Sequence, residues 1–416
     1  MSIVFNNVTI REAVKLWLSD ESEAIKRYGH ISDWLTHDVT DMSKLFYGSS
    51  EFNENINKWS ISNVTNMYSM FRGVEKFNQP LNKWNVSNVT NMSFMFYNAK
   101  NFNQELNSWS THNVIDMSFM FYNAENFNQE LNSWSTHNVT DMSYMFYLSH
   151  HFNKNLDSWS TSNVTNMSHM FCGACSFNQN INSWSIHNVA DMSYMFYASY
   201  KFNKPLNKWS TLNVINMSGM FYNARKFNQN INNWDVSNVT DMTKMFDSAY
   251  KFNKPLNKWD ISSVTDTYAM FNKAESFNQE LNSWSTHNIT NMSLMFSDAI
   301  NFNQKLNNWD VSNVTDMSYM FDNALIFNGD INSWNTIKLI NITRIFYNAI
   351  NFNQKLNKWK INSIVKINNS FLNSGLSKEL KMFNIKTPFV SNRHPYYEYK
   401  NKNEYIKVLI DAGYSL

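Results

Sequence analysis

The sequence predicts an α/β repeat solenoid of about fourteen 25-residue coils, and three observations predict it. Fourteen tryptophans stand 25 residues apart, from Trp34 through Trp59 and Trp84 to Trp359, and no copy gains or loses a residue. A fixed period of this length marks a unit that cannot bury its apolar face alone and so stacks on its neighbours. Phe opens every copy from Phe52 to Phe352, and Asn follows it without a break from Asn53 to Asn353. The slot two after each Trp holds only Ile, Val or Thr from Ile61 to Ile361, β-branched side chains that suit a pleated surface.

Residues 1–30 read as an N-terminal helical cap. Thr9 or Asn7 is a plausible N-cap, followed by an amphipathic stretch through Ala13, Leu16 and Trp17; a second helix, Ser22 to Tyr28, ends at Gly29. Residues 31–375 form the repeat array. Within one copy, from Phe77 to Asn101, the period changes after the Trp: Met92, Met95, Phe96 and Ala99 are spaced 0, 3, 4, 7 and would share one helical face. Each coil is therefore expected to hold a short strand at W-x-V-x-N-V and one short helix at M-x-x-M-F-x-x-A. Such a helix could not persist alone in water, because nucleation is costly. Residues 376–416 read as a C-terminal helical cap, with one helix at 377–383 and a closing one from Glu404 to Ala412 before Gly413.

Asparagine is abundant, about 70 residues against 8 Gly and 5 Pro. Asn tolerates the left-handed backbone region and caps turns with its own side chain. It is expected to serve at the corners and to form hydrogen-bonded ladders between coils. The array predicts one elongated domain rather than several globular ones.

Charges balance, 35 basic against 33 acidic residues, and are expected to be dispersed, leaving no footprint for nucleic acid. No run approaches the ~20 apolar residues of a membrane span. The start, MSIVFNNVTIREAVKLWLSD, lacks the pattern of a secretory signal, which points to a cytoplasmic chain. N-x-[ST] sequons such as Asn88-Val89-Thr90 fall inside the repeat and are by-products of it.

The motifs W-x-[VT]-S-N-V-T-[DN]-M-S-x-M-F and F-N-x-x-L-N-x-W resemble the BspA-like leucine-rich repeat family, in its 25-residue branch known from mycoplasmas. The entry REAVKLWLSD…AIKRYGHISDW is similar to that family's opening. The resemblance implies a leucine-rich-repeat-like solenoid with a binding role, and it carries no catalytic residues. Many relatives adhere to host matrix from a surface. Lys- and Asn-rich copies without a signal occur in amoeba-infecting giant viruses, and the six-Arg composition leans that way.

Candidate sites weigh unevenly. Cys172 and Cys175 form a lone C-x-x-C in slots occupied by other residues elsewhere, which favours local substitution over redox or metal chemistry. His37, His112, His137, His187 and His287 recur at one slot and read as an exposed ladder, since two imidazoles without a further ligand hold a metal poorly. Asp116, Asp141 and Asp191 share a slot with Asn and are expected to cap the short helix. The Met stripe from Met67 and Met70 onward reads as core. No metal, cofactor or catalytic constellation is assigned, so the chain reads as a non-enzymatic scaffold for an unidentified protein partner. The alternative is a virion or surface component that binds host matrix or glycan.

One variable pair of slots stands out. It holds Phe94/Tyr97, Phe119/Tyr122, Tyr144/Tyr147, His169/Cys172, Tyr194/Tyr197 and Gly219/Tyr222, and later coils lose the aromatics. An exposed aromatic stripe would be a binding face. The competing reading is that these rings stack between coils and shield the core. The candidate binding residues are thus Phe94, Tyr97, Phe119, Tyr122, Tyr144, Tyr147, Tyr194, Tyr197 and Tyr222.

Overall fold

A computed structural model describes residues 3–361 and 364–376. The helices expected at 377–383 and Glu404 to Ala412 lie outside the described residues. The chain divides into two units, Met1–Asn213 and Val214–Leu416, and each is a stack of 25-residue coils.

The first unit opens on helices α1 (Thr9–Ser19) and α2 (Glu21–Tyr28). The N-terminal cap of α1 is Asn6 rather than Thr9 or Asn7: its Oδ1 accepts from the N–H groups of Val8 and Thr9 at 2.9 and 3.0 Å. Asn7 serves the next coil instead, accepting from the Thr40 N–H at 2.8 Å. Asp20 accepts from the Glu23 N–H to start α2, and Gly29 ends it at φ 74°. Ile10, Ala13, Val14 and Trp17 are buried, and Trp17 meets Trp34 edge to face at 6.0 Å. Val4 pairs in parallel with Leu35. The cap thus hides the first indole of the Trp column and supplies a surrogate coil beneath it.

The helix expected at M-x-x-M-F-x-x-A does not form, and the hydrogen bonds show why. Alternate N–H groups leave the coil: Met92, Phe94, Phe96 and Asn98 donate to the carbonyls of Asp116, Ser118, Met120 and Tyr122 in the next coil, at 2.7–3.1 Å. The residues between them turn back locally, with Met95, Tyr97 and Ala99 donating to Met92, Phe94 and Phe96 at 3.0–3.2 Å. Phe94 and Asn98 hold φ of 59° and 57°, and a left-handed residue every fourth position prevents any α-helical run. The 0, 3, 4, 7 spacing still buries one face, because a chain of tight three-residue turns returns its side chains at nearly the same interval. Met92, Met95, Phe96 and Ala99 are all fully buried.

The strand expected at W-x-V-x-N-V also dissolves into local turns, such as Val89 N–H to Val86 C=O at 2.9 Å. Among the described residues, parallel pairing between coils takes the form of single bridges at one later slot, mostly Asn or Asp, including Asn66 with Asn91 and Asn91 with Asp116. The β-branched slot has another use. Thr111 and Thr136 are buried, and each Oγ1 donates to the Ser carbonyl of the next coil, at 3.0 and 2.8 Å.

The core is a set of aromatic columns. Trp84, Trp109, Trp134 and Trp159 stack with ring centroids 6.1–6.3 Å apart. Each indole N–H donates to a carbonyl in the preceding coil, as Trp109 Nε1 does to Leu81 at 3.0 Å. Phe96 lies 4.0 Å from Phe102 in its own coil and 5.6 Å from Phe121 in the next. Burying such a side chain stabilises by about 1.5–3 kcal/mol before conformational entropy is charged against it.

The asparagine ladders are present. The N–H groups of Asn78, Asn103 and Asn128 each donate to the side-chain oxygen of the Asn one coil earlier, at 2.9 Å. Amide-to-amide rungs such as Asn57 Nδ2 to Asn82 Oδ1, 2.9 Å, run elsewhere. The second unit repeats the plan, with Trp284 over Trp309 at 6.3 Å and the same alternation of donors from Met292 to Asp298.

A stacked aromatic stripe as candidate functional site

The left-handed backbone at slot Phe94 decides where the stripe lies. Phe94, Phe119, Tyr144, His169 and Tyr194 all have φ between 53° and 59°. This conformation turns each side chain out of the core but leaves it flush against the same side chain one coil away.

Two columns result in the first unit. In one, Phe94 stacks on Phe119 at 4.4 Å, Phe119 on Tyr144 at 4.5 Å, Tyr144 on His169 at 4.3 Å and His169 on Tyr194 at 5.0 Å. In the other, Tyr97 stacks on Tyr122 at 4.3 Å and Tyr122 on Tyr147 at 4.4 Å. Cys172 takes the next place, and Tyr197 meets Tyr194 edge-on at 6.1 Å. Phe94, Tyr97, Phe119, Tyr122, Tyr144, Tyr147, Tyr194 and Tyr197 are all half-buried. Tyr222, in the second unit, is also half-buried, and the Lys244 ammonium lies 5.7 Å from its ring centre. Ring faces are spent on neighbours, so the outward surface is a row of ring edges and hydroxyls.

Burial raises the Tyr122 phenol well above its usual range, helped by Tyr147 and Tyr97, and burial likewise raises Tyr144 and Tyr147. These hydroxyls stay protonated donors through the physiological range. Burial lowers the His169 imidazole, whose Nδ1 is buried without a hydrogen-bond partner among the described residues.

Sequence reasoning missed Arg72, at the head of the stripe. Its guanidinium lies 4.5 Å from the Tyr97 ring centre, 5.0 Å from Phe94 and 5.6 Å from Tyr47. The available signal was a single Arg in a slot that is Tyr in the neighbouring copies. The second unit fills the same slots differently. Asp322 is buried and paired with Arg344, while Asp247 is buried and accepts from Ser248 Oγ and Asn272 Nδ2 at 2.8 and 3.1 Å.

The remaining candidates occupy engaged positions. Nδ1 of His112, His137, His187 and His287 each sits 2.6–2.9 Å from a Ser hydroxyl two residues back, and His37 is exposed beside Asp38. Among the described residues, no group of three or more His, Cys, Asp or Glu is placed to hold a metal ion. Asp116, Asp141 and Asp191 accept from the N–H two residues on, at 2.7–2.9 Å, so they cap turns rather than a helix. Burial pushes the Cys172 thiol up to about 12, while Cys175 Sγ donates to the Gly173 carbonyl at 3.2 Å.

Comparison with known proteins places the repeat. A family described as "Mycoplasma protein of unknown function, DUF285" matches residues 18–134, 120–231, 200–299 and 279–383. The chain belongs to this family. Four tandem matches agree with a repeat solenoid. No curated protein matches the chain. Among solved structures, a TLR13–ssRNA13 complex aligns at 12% identity over 93% of this chain, with a TM-score of 0.26. At that score the likeness carries no argument, and this chain spans only 56% of that one. Among the described residues no helix is long and apolar enough to cross a membrane.

Proposed function

We propose that the chain is a non-enzymatic scaffold that holds a protein partner through its variable outer slots, within the leucine-rich-repeat-like, BspA-like group its motifs resemble. The observation that carries this reading is the split between slots. The repeated Trp, Phe and Met positions are buried in almost every coil, while slots 94/97, 119/122 and 144/147 gather consecutive aromatic pairs at the surface of the first unit, where the second unit keeps only scattered ones such as Tyr222, Tyr319 and Tyr347. Tyr edges offer apolar area with a fixed polar tip, the composition that dominates binding hot spots. The groups that catalysis would need are already committed: the Ser-paired histidines, the turn-capping Asp slot and the protonated Cys172. The stacked faces also favour a protein over a glycan, because a sugar ring packs on an open aromatic face. In this reading the chain works in the cytoplasm, and a giant-virus source would place it in the host cytoplasm or the particle.

The test compares wild type with a Tyr122→Ser, Tyr147→Ser, Tyr197→Ser variant in affinity purification from host lysate, with melting curves on both. The expected result is a specific partner whose capture falls at least about tenfold in the variant at a temperature where both chains are folded. Equal capture by both chains, or no partner above background, overturns the proposal.

A further inference from the structure

The overall charge balance conceals a segregation, so the expected dispersal fails. Residues 101–200 carry seven Asp or Glu against the single Lys154, whereas residues 201–258 carry nine Lys or Arg against three Asp. The structure gathers part of each set at the same corner of the coil, around F-N-x-x-L. In the first unit Glu105 and Asp157 are exposed there and Glu125 is half-buried. In the second unit Lys226, Lys251 and Lys258 are exposed and Lys254 is half-buried.

Elsewhere this corner is neutralised from coil to coil. Lys76 pairs with Glu51, Lys100 with Glu75 at 3.2 Å and Lys154 with Glu130 at 3.2 Å. The basic corner departs from that habit. Lys226 and Lys251 occupy the same slot of adjacent coils, about one strand spacing or ~4.8 Å apart along the stack. Neither they nor Lys254 and Lys258 reach an acidic group within the described residues. Like charges set side by side are unfavourable until an opposite surface meets them.

We infer that the acidic corner of the first unit docks against the basic corner of the second unit of another copy of this chain. The match is one of charge: Glu105, Glu125 and Asp157 occupy three different slots around this corner in the first unit, and Lys226, Lys251 and Lys254 present the opposite sign around the same corner in the second. This contact is separate from the aromatic stripe, and its failure would leave the scaffold proposal standing.

Sedimentation of the full chain tests it. At low salt the mass should exceed the 49.1 kDa of one chain. Raising salt from about 0.01 M to about 1 M shortens the screening length from about 30 Å to about 3 Å and should weaken association at least about tenfold. Two charge-reversed chains make the test specific: Lys226→Glu, Lys251→Glu, Lys254→Glu, and Glu105→Lys, Glu125→Lys, Asp157→Lys. Each should be a single chain on its own, and mixing the two should restore association, because each then meets its complement. Unchanged circular dichroism confirms folding. A single-chain mass for wild type at low salt, salt-independent association, association of either variant alone, or no association on mixing overturns the inference. A wild type that stays single but retains an added acidic peptide shows that the basic corner serves another partner, and it also overturns self-docking.

Discussion

Arg344 reaches back one coil to Asp322: its Nε donates to Oδ2 at 2.8 Å, and its guanidinium lies 3.8 Å from the centre of the Tyr347 ring. The carboxylate is 3% exposed. Burial raises the Asp322 carboxyl, and Arg344 opposes that rise. The pair fills, in the second unit, the slots that carry stacked rings in the first. Both arrangements tie neighbouring coils through variable positions, one by dispersion and one by charge.

Arg344→Met is therefore expected to cost about 2–3 kcal/mol, because it strands a buried carboxylate. The figure lies below that for a fully buried pair, since the Arg344 side chain is about one-third exposed and partly screened. The double variant with Asp322→Asn should recover part of the loss. Urea unfolding of wild type, both single variants and the double variant measures this, and additive losses in the two single variants would show that the pair contributes no coupling.

Asp247 should respond to pH against the usual direction for a carboxylate. Burial raises its folded pKa above the ordinary value, despite hydrogen bonds from Ser248 and Asn272. The folded state then holds the proton more tightly than the unfolded chain. Its contribution to stability is full below the unfolded pKa and declines as pH rises through the folded one. Asp247→Asn keeps an acceptor for both donors, so it should stabilise at neutral pH by up to about 1 kcal/mol, with the gain vanishing in acid. Melting temperatures of both chains between pH 3 and pH 7 decide the matter; a constant difference would contradict the assignment.

The coil was legible in the sequence because register forces it: a Trp every 25 residues and an unbroken Phe-Asn pair leave few ways to stack. The N-terminal helices were legible for a different reason, since Gly29 and the apolar spacing through Ala13, Leu16 and Trp17 are local signals that tertiary contacts do not override. The coil's own secondary structure was not legible. Met92, Met95, Phe96 and Ala99 satisfy a helical period, and nothing in that period reveals that Phe94 takes a left-handed conformation. The clue lay one turn later, where Gly48, Gly73 and Gly173 share a slot with Asn98 and Asn123, residues that accept positive φ. The aromatic pairs of the stripe were also visible. Their stacking between coils was one of the two readings the pattern offered, and the rings do stack; what the pattern did not show is that they stack while half-exposed, which depends on the outward turn that this backbone imposes.

Trp109 tests how locally the stack is coupled. It lies between Trp84 and Trp134, 2% exposed, with its indole N–H on the Leu81 carbonyl. Trp109→Ala should open a cavity, leave that carbonyl unpaired and cost about 3–5 kcal/mol. Contacts run mainly between adjacent coils, so protection from hydrogen exchange should fall first over residues 84–134 and least in the N-terminal cap. Uniform loss across the first unit would show that it unfolds as one cooperative block.

Lys273 provides the sharpest test of the left-handed backbone. It is exposed, holds φ of 55° and occupies the slot filled by Gly in three earlier coils. Replacing it by Ala and by Gly removes the charge equally, so the difference between the two variants reports on the backbone alone. At positive φ the Ala Cβ crowds the following carbonyl at a cost of about 1–2 kcal/mol, which Gly avoids while losing somewhat more chain entropy. The Gly variant should thus be more stable than the Ala variant by about 0.5–1 kcal/mol. If the segment were the helix its spacing suggests, the order would reverse by about 1 kcal/mol, because Gly is a poor helix former and Ala the best. Chemical unfolding of the two chains therefore distinguishes the two backbones by the sign of the difference alone.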